Sequence, residues 1–291
     1  MLDRGLTHAQ RERISEHVEL VDAHDDVHAI LSKTYAPLQH PAELMVLLDV
    51  DMIVTRSLAP LLDDAASGHI VAFADEIADR FHPEWRSILE LPALRRRTYV
   101  NAGLFAFQRS LGLPLLERLH EVQPRIELRD SRFGGSTPDA PFFFPDQDVW
   151  NALLSAFVAD DEISIYANRL APFPPFRGVQ LVDAQRVECR YADGEVPYLL
   201  HYIGPKPWLT VSAQSVFTRL LTRLLVGDDV AIRLDRRDLP HRLRPGAIGR
   251  SAAVAAEAPA WIAGQRGRLG VRRRASGALS KLRKSRYSGR R

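Results

Sequence analysis

One stretch near the first quarter of the chain constrains the fold most. An apolar run at residues 45–48 leads directly into Asp49 and Asp51, and a second apolar run follows at once. This pattern predicts a buried strand that ends in two carboxylates, which would point the same way if the chain stayed extended. Like charges this close repel each other unless a cation lies between them. Because Mg²⁺ and Mn²⁺ prefer carboxylate oxygens, the pattern indicates a divalent metal site. The alternative is that both aspartates only end a strand and cap a turn.

A second informative stretch lies much later, directly after the short apolar segment 198–200. It contains His201, Gly204 and Lys206, with Pro205 between the last two. Histidine can be a third metal ligand, glycine lets a ligand approach the backbone, and lysine offers a cation to phosphate oxygens. Taken alone, the histidine could be a hydrogen-bonded structural residue and the Gly-Pro step a simple turn.

Four segments together resemble the motifs of glycosyltransferase family 8 and its relatives with the GT-A fold. They occur in the order of that family: Asp-Val-Asp at 49–51, YVNAGLFAF at 99–107, FPDQDVWN at 144–151 and HYIGPKPW at 201–208. The resemblance runs from about Asp3 to Trp208. It implies an α/β, GT-A-like sandwich with a mixed central sheet. The strand and helix that normally come first in the family have no counterpart here, so the resemblance also implies an N-terminally shortened fold.

The resemblance also implies roles for individual residues. It implies that Asp49, Asp51 and His201 are metal ligands, which would hold Mn²⁺ or Mg²⁺. It implies that the residues that bind the donor are Asp75, Asn101, Ala102, Asp146, Gly204 and Lys206. It also implies that Gln147 and Asp148 are catalytic residues that face the reacting sugar. Structural alternatives remain: a strand-end acid at residue 75, a tight turn at residues 101–103, and a helix dipole that stabilises the acids at residues 146 and 148.

The activity that the resemblance implies is metal-dependent transfer of a sugar from a nucleotide diphosphate, such as a UDP-sugar, to a hydroxyl acceptor with retention of anomeric configuration. A lipid-linked or envelope glycan is one such acceptor. Two alternatives stay open. The chain could be a non-catalytic or truncated family member that cannot bind a nucleotide properly, or a nucleotidyltransferase. The latter would need a glycine-rich basic loop near its N-terminus, which this sequence lacks.

The charge of the chain is distributed unevenly. Eleven of the 39 Lys and Arg residues lie in residues 265–291, which contain no Asp or Glu, so the preceding chain carries 28 basic against 36 acidic side chains. This basic tail predicts disorder and binding to an anionic membrane surface, since each basic residue contributes about 1 kcal/mol there. A merely solvated end and nucleic-acid binding are the alternatives, and we consider nucleic acid unlikely.

Domain organisation and compartment follow from the same composition. We expect a GT-A-like catalytic domain at residues 1–210, a C-terminal helical extension at 211–264 and the basic tail at 265–291. With one cysteine, no apolar leader and no apolar run of about 20 residues, the sequence favours the cytoplasm, with peripheral attachment to the inner face of the membrane as a further expectation.

Local patterns predict several elements around these motifs. Leucines at helical spacing predict a helix at 111–122, and a second helix is expected to begin at the acidic motif and continue to residue 156. Strands are predicted at 68–74, 99–107, 163–166, 181–182 and 198–200. A further helix is predicted at 28–38 and carries Lys33, for which we weigh contact with a diphosphate against a solvated surface position.

Overall fold

A computed structural model describes residues 1–23, 28–204, 206, 215–240 and 243 of the 291-residue chain. The chain divides into two compact units, Met1–Ile203 and Gly204–Arg291, and each is described by itself. The predicted domain boundaries at residues 210 and 264 stay predictions.

The first unit alternates strands and helices for most of its length. Its strands are β1 Leu2–Asp3, β2 Val21–Asp22, β3 Leu44–Leu48, β4 Met52–Val54, β5 Ile70–Ala74, β6 Val100–Gln108, β7 Ile163–Tyr166, β8 Gln180–Asp183, β9 Glu188–Arg190 and β10 Leu199–His201. Its α-helices are α1 His8–Ser15, α2 Tyr35–Gln39, α3 Ala59–Ala66, α4 Trp85–Ile88, α5 Arg109–Val122 and α6 Pro145–Phe157.

The central sheet has four strands in the order β3-β6-β5-β7. Strand β6 pairs antiparallel with both β3 and β5, whereas β5 and β7 run parallel, so the sheet is mixed. Three two-stranded pairs accompany it: β1 with β2 in parallel, and β4 with β10 and β8 with β9 in antiparallel orientation. The predicted α/β fold with a mixed central sheet is therefore confirmed.

Both faces of the sheet are covered by helices. Side chains alternate along β5, so that Ile70 and Ala72 pack with α5 and α6, while Val71 and Phe73 pack with α3 on the other face. The first face carries the larger apolar cluster, which also contains Trp85 of α4. This three-layer arrangement buries the central strand β6 on both sides and fixes the position of the residues at its start.

Helix α6 lies at the centre of the larger cluster. Eleven of its thirteen residues are buried, which is far more than a surface helix buries. Trp150 stacks on Phe105 of β6 with a ring-centroid distance of 4.5 Å. The Asn151 amide also hydrogen-bonds the N–H and C=O of Val100, at 2.8 and 2.9 Å. Helix α6 and strand β6 are thus joined by side-chain packing and by hydrogen bonds from a helix side chain to the strand backbone.

Most predicted elements are present, with boundaries that differ by a few residues. The helices predicted at 111–122 and from the acidic motif to 156 are α5 and α6, and the strand predicted at 163–166 is β7. The helix predicted at 28–38 is wrong, because this segment forms a 3₁₀ turn at Ala29–Leu31 and the short helix α2. Lys33 lies between these two pieces, where its side chain turns toward the acidic residues described below.

The second unit is described only in part. Its helix α7, Val216–Val226, begins at Ser215, whose hydroxyl accepts a hydrogen bond from the Thr218 N–H at 3.1 Å. The predicted basic tail at 265–291 lies outside the described residues, so its disorder and its membrane binding stay predictions. In the portion that is described, none of the helices has the length and apolar character needed to cross a bilayer.

The Trp150 contact predicts a specific stability difference. Trp150→Ala should lower the free energy of unfolding by about 3–5 kcal/mol, because it opens a cavity beneath β6. Trp150→Phe should cost less than about 1.5 kcal/mol, since it keeps a stacked ring and the buried indole N–H has no hydrogen-bond partner among the described residues. Urea unfolding of both variants checks this, and equal losses would contradict the packing argument.

Candidate metal and donor site

The two aspartates lie on a turn between two strands. Strand β3 ends at Leu48 and β4 begins at Met52, so Asp49 and Asp51 are not part of one continuous strand as an extended chain would require. Val50 at the tip is 88% exposed. The backbone holds both ends of the turn, because the Asp49 N–H donates to the Gly103 C=O at 2.9 Å and the Tyr202 N–H donates to the Asp51 C=O at 2.9 Å.

The turn brings three metal-capable side chains together. Strand β10 pairs with β4, with His201 opposite Met52. As a result, the His201 Nε2 atom lies 3.3 Å from Asp51 Oδ1 and 3.7 Å from Asp49 Oδ2. One ligand atom from each residue lies within 4.8 Å of the others. The three predicted metal ligands, far apart in sequence, thus form one cluster.

Hydrogen bonds around Asn101 determine which nitrogen of the His201 ring carries a hydrogen. The Asn101 Nδ2 donates to Asp75 Oδ2 at 3.0 Å, and the Asn101 Oδ1 accepts from the Gly103 N–H at 3.0 Å. The same Oδ1 lies 3.2 Å from His201 Nδ1, so Nδ1 must carry the hydrogen. In the neutral imidazole, Nε2 then presents a lone pair to the two carboxylates.

This tautomer suits a metal ligand. A lone pair that faces two carboxylates is unfavourable unless a cation lies between them, and metal-bound histidines typically donate their other N–H to an oxygen acceptor. Two carboxylates and one imidazole also form a donor set that divalent ions such as Mn²⁺ accept. The residues present therefore fit a bound divalent cation.

A chain of polar side chains extends from the cluster toward α6. The Asp75 Oδ2 atom accepts hydrogen bonds from Asn101 and from the Gln147 Nε2 at 3.1 Å. The Gln147 Oε1 in turn accepts from the Ala102 N–H at 3.1 Å. Four of the predicted donor-site and catalytic residues are thus joined in one network next to His201.

A local irregularity in β6 makes this network possible. Val71 of β5 lies opposite Ala106, but Phe73 lies opposite Asn101, so two residues along β5 correspond to five along β6 and the register shifts by three residues. Such bulges occur frequently beside active sites because they redirect side chains. At Gly103 the packing is so close that a Cβ atom would lie 2.4 Å from His201 Cε1 and 2.2 Å from Met52 Cε.

Asp148 has a different environment from its neighbours on α6. Its side chain is fully buried, and Arg80 binds it through Nε at 2.7 Å and Nη2 at 2.9 Å. The Tyr99 hydroxyl and the Phe144 N–H also donate to this carboxylate, at 2.7 and 2.8 Å. Burial raises the pKa of Asp148, and these donors oppose that shift. Because each of its two oxygens accepts two hydrogen bonds, Asp148 is placed to hold the structure together rather than to face a sugar.

Sequence reasoning missed Arg80, and it included Tyr99 only as the first residue of the 99–107 motif, with no role of its own. Arg80 also donates to the backbone C=O groups of Pro138 and Ala140, at 2.6 and 2.7 Å, so it ties the loop before α6 to the buried carboxylate. The sequence signal was a lone arginine in a segment without periodicity, which is indistinguishable from a surface residue until the fold brings Asp148 beside it.

Lys33 turns out to be a member of the acidic site. Its Nζ lies 2.9 Å from Asp49 Oδ1 and 3.0 Å from Asp146 Oδ2, and it donates to the Ala102 C=O at 3.1 Å. Burial lowers the pKa of Lys33, but the two carboxylates raise it more, so the net shift is upward. Burial also raises the pKa of Asp49, against the opposing effect of Lys33. The solvated surface position weighed for Lys33 is therefore wrong.

Gly204 and Lys206 belong to the second unit, so their position relative to this cluster is not described. Gly204 has a φ of +87°, a left-handed conformation that favours glycine. Lys206 is half-buried, and its neighbours Pro205, Pro207 and Trp208 lie outside the described residues. The predicted contact of Gly204 and Lys206 with the donor stays a prediction.

Comparisons with known proteins give structural alignments only. No protein-family model and no curated protein sequence matches the chain. An active-site mutant of LgtC aligns with a TM-score of 0.44 at 20% identity over 78% of this chain and 85% of LgtC. The galactosyltransferase LgtC in complex with donor and acceptor sugar analogs aligns over the same shares at 20% identity, with a TM-score of 0.41. The bifunctional glycosyltransferase WbbM aligns at 17% identity over 74% of this chain and 42% of its own, with a TM-score of 0.43.

The close packing at Gly103 leads to a prediction about the metal cluster. Gly103→Ala should displace the His201 ring, because the new Cβ and Cε1 cannot both keep their positions. We expect Mn²⁺ binding, measured by titration calorimetry, to weaken at least about tenfold, a loss near 1.4 kcal/mol. The exposed substitution Glu117→Ala should leave binding unchanged. Unaltered Mn²⁺ affinity in Gly103→Ala would show that His201 is not a ligand.

The Arg80–Asp148 pair leads to a prediction about stability and pH. Arg80→Met should cost about 3–5 kcal/mol at neutral pH, because it leaves a buried carboxylate without its cation. Burial already raises the pKa of Asp148 in the wild type, and loss of Arg80 raises it further. The folded variant therefore binds the proton more tightly, and its loss of stability shrinks as pH falls. Unfolding of wild type and variant across a pH series checks this. A loss that is constant with pH would contradict it.

Proposed function

We propose that this chain is a metal-dependent glycosyltransferase that moves a sugar from a nucleotide-diphosphate donor to a hydroxyl acceptor. The observation that carries the proposal is the position of the Asp49–Asp51–His201 cluster directly beside the Asp75–Asn101–Gln147 network. The first offers metal ligands, and the second offers hydrogen-bond donors and acceptors of the kind that bind sugar hydroxyls. The four sequence motifs of family 8 glycosyltransferases include all six of these residues except Asp75.

In this proposal, Asp49, Asp51 and His201 hold a divalent cation, Mn²⁺ or Mg²⁺, which supplies positive charge to the leaving diphosphate. The diphosphate gains negative charge as the glycosidic bond breaks, so positive charge at this place stabilises the transition state more than the ground state. Lys206 would add a second cation at the same group. The 88% exposure of Val50 between the aspartates supports access of a ligand to the turn.

The network next to the cluster would orient the donor sugar. Asp75 and Asn101 present polar atoms, whereas Ala102 and Gly103 are buried and Gly103 is covered by His201 and Met52. Asp146 is held by Lys33 and keeps a carboxylate beside the same segment. We assign Asp148 a positioning role instead of contact with the sugar, because Arg80 and Tyr99 occupy its oxygens.

Retention of the anomeric configuration is part of the proposal. Gln147 is the residue of α6 that reaches the network, and an amide is a poor nucleophile. We therefore favour a route in which the diphosphate leaves and the acceptor attacks on the same face, through a state with oxocarbenium character. This route does not need Gln147 to act as a nucleophile, as a covalent intermediate would.

Titration calorimetry with UDP in the presence and absence of Mn²⁺ tests the proposal. Wild-type protein should bind UDP in a Mn²⁺-dependent manner, and Asp51→Ala and His201→Ala should each weaken binding by at least about 2 kcal/mol, since each removes one metal ligand. Asp161→Ala, an exposed substitution outside the cluster, serves as the matched control. UDP binding that ignores Mn²⁺, or that survives both ligand substitutions, would contradict the proposed site.

A further inference from the structure

The Asp49 carboxylate has a basic side chain on each of two sides. Lys33 Nζ lies 2.9 Å from Oδ1 and 3.1 Å from Oδ2, so the ammonium contacts both oxygens. His201 Nε2 lies 3.7 Å from Oδ2, on the side where the metal ligands converge. A carboxylate that belongs to the metal cluster is thus already engaged by a cation of the chain itself.

Lys33 is held firmly in this position. Its three N–H donors are taken up by Asp49, Asp146 and the Ala102 C=O, and about four-fifths of its side chain is shielded from solvent. If the ammonium moved away from Asp49, it would also lose its contacts with Asp146 and with the Ala102 C=O. Because the site is partly buried, the repulsion between an ammonium and a divalent cation that share one carboxylate is screened less than it would be in water.

We propose that Lys33 competes with the divalent cation for Asp49 and thereby keeps the metal affinity of the donor-free protein low. The inference rests on the proposed metal site, and it adds a residue that sets how tightly the ion is held. Lys33 contributes no metal ligand. It acts by neutralising the charge of Asp49 and by placing a positive charge next to the ion.

The opposite role for Lys33 would be purely structural. If the lysine served only to orient the Asp49 and Asp146 carboxylates, its removal would disorder a ligand and weaken metal binding. If it competes for charge, its removal leaves a more negative cluster and strengthens metal binding. The two roles therefore differ in the sign of one measured change.

The experiment is a Mn²⁺ titration of the full chain without nucleotide. The electron paramagnetic resonance signal of the free ion measures how much Mn²⁺ stays unbound. Lys33→Met removes the charge and keeps the length of the side chain, and we expect it to bind Mn²⁺ on the order of tenfold more tightly. Lys33→Gln also removes the charge but keeps N–H donors, so it provides the same test if Lys33→Met does not fold. Lys33→Arg keeps the positive charge, so it should not bind Mn²⁺ more tightly than wild type.

Two controls separate failure of this inference from failure of the proposed function. Arg186→Met, in the β8–β9 hairpin, removes an exposed positive charge that pairs with Glu188 outside the cluster, and it should change the Mn²⁺ affinity less than about twofold, since this charge is screened. Asp51→Ala should weaken Mn²⁺ binding in the wild-type and Lys33→Met backgrounds alike. If Asp51→Ala acts as expected but both neutral Lys33 variants bind Mn²⁺ no more tightly than wild type, the competition is overturned and the metal site stands. If no variant binds Mn²⁺ at all, the metal site itself is overturned.

Discussion

The structure of the site depends on one electrostatic constraint, the concentration of carboxylates at one end of a mostly buried sheet. Asp75, Asp146 and Asp148 are all nearly inaccessible to solvent, and Asp49 and Asp51 lie beside them with most of their side-chain surface covered. Ionised carboxylates cannot remain buried without partners. Basic side chains, a tyrosine hydroxyl and backbone N–H groups supply many of those partners.

The partners differ between the carboxylates, and this difference separates structure from function. Asp148 is satisfied by Arg80, Tyr99 and a backbone N–H, so it needs nothing from a ligand. Asp51 faces His201, whose hydrogen is directed away toward Asn101. The first arrangement is a salt bridge with hydrogen bonds inside the chain, whereas the second brings Asp51 and His201 together with Asp49 as a set of metal-capable side chains. It is the second arrangement that suits a metal ion.

Rigid packing places these groups with little freedom. Helix α6 carries Asp146, Gln147 and Asp148 on its first turn, and its burial against β6 fixes where they point. The register shift between β5 and β6 brings Asn101 next to both Asp75 and His201. Because Gly103 leaves no room for a side chain, the histidine ring can approach the strand closely. Preorganisation of this kind is what a site for charge stabilisation requires.

The amino-acid sequence alone determined the α/β class, the main helices and strands, and the residue types of the cluster, because apolar periodicity and the acidic and histidine motifs are local signals. Only the tertiary structure decided which of these residues meet. The turn at Val50, the register shift in β6 and the break in the predicted helix before α2 depend on contacts between segments far apart in the chain. For the same reason Arg80 could not be recognised and Lys33 could be read as a surface residue. A cation in a sequence has no partner until folding brings a carboxylate within about 3 Å of it.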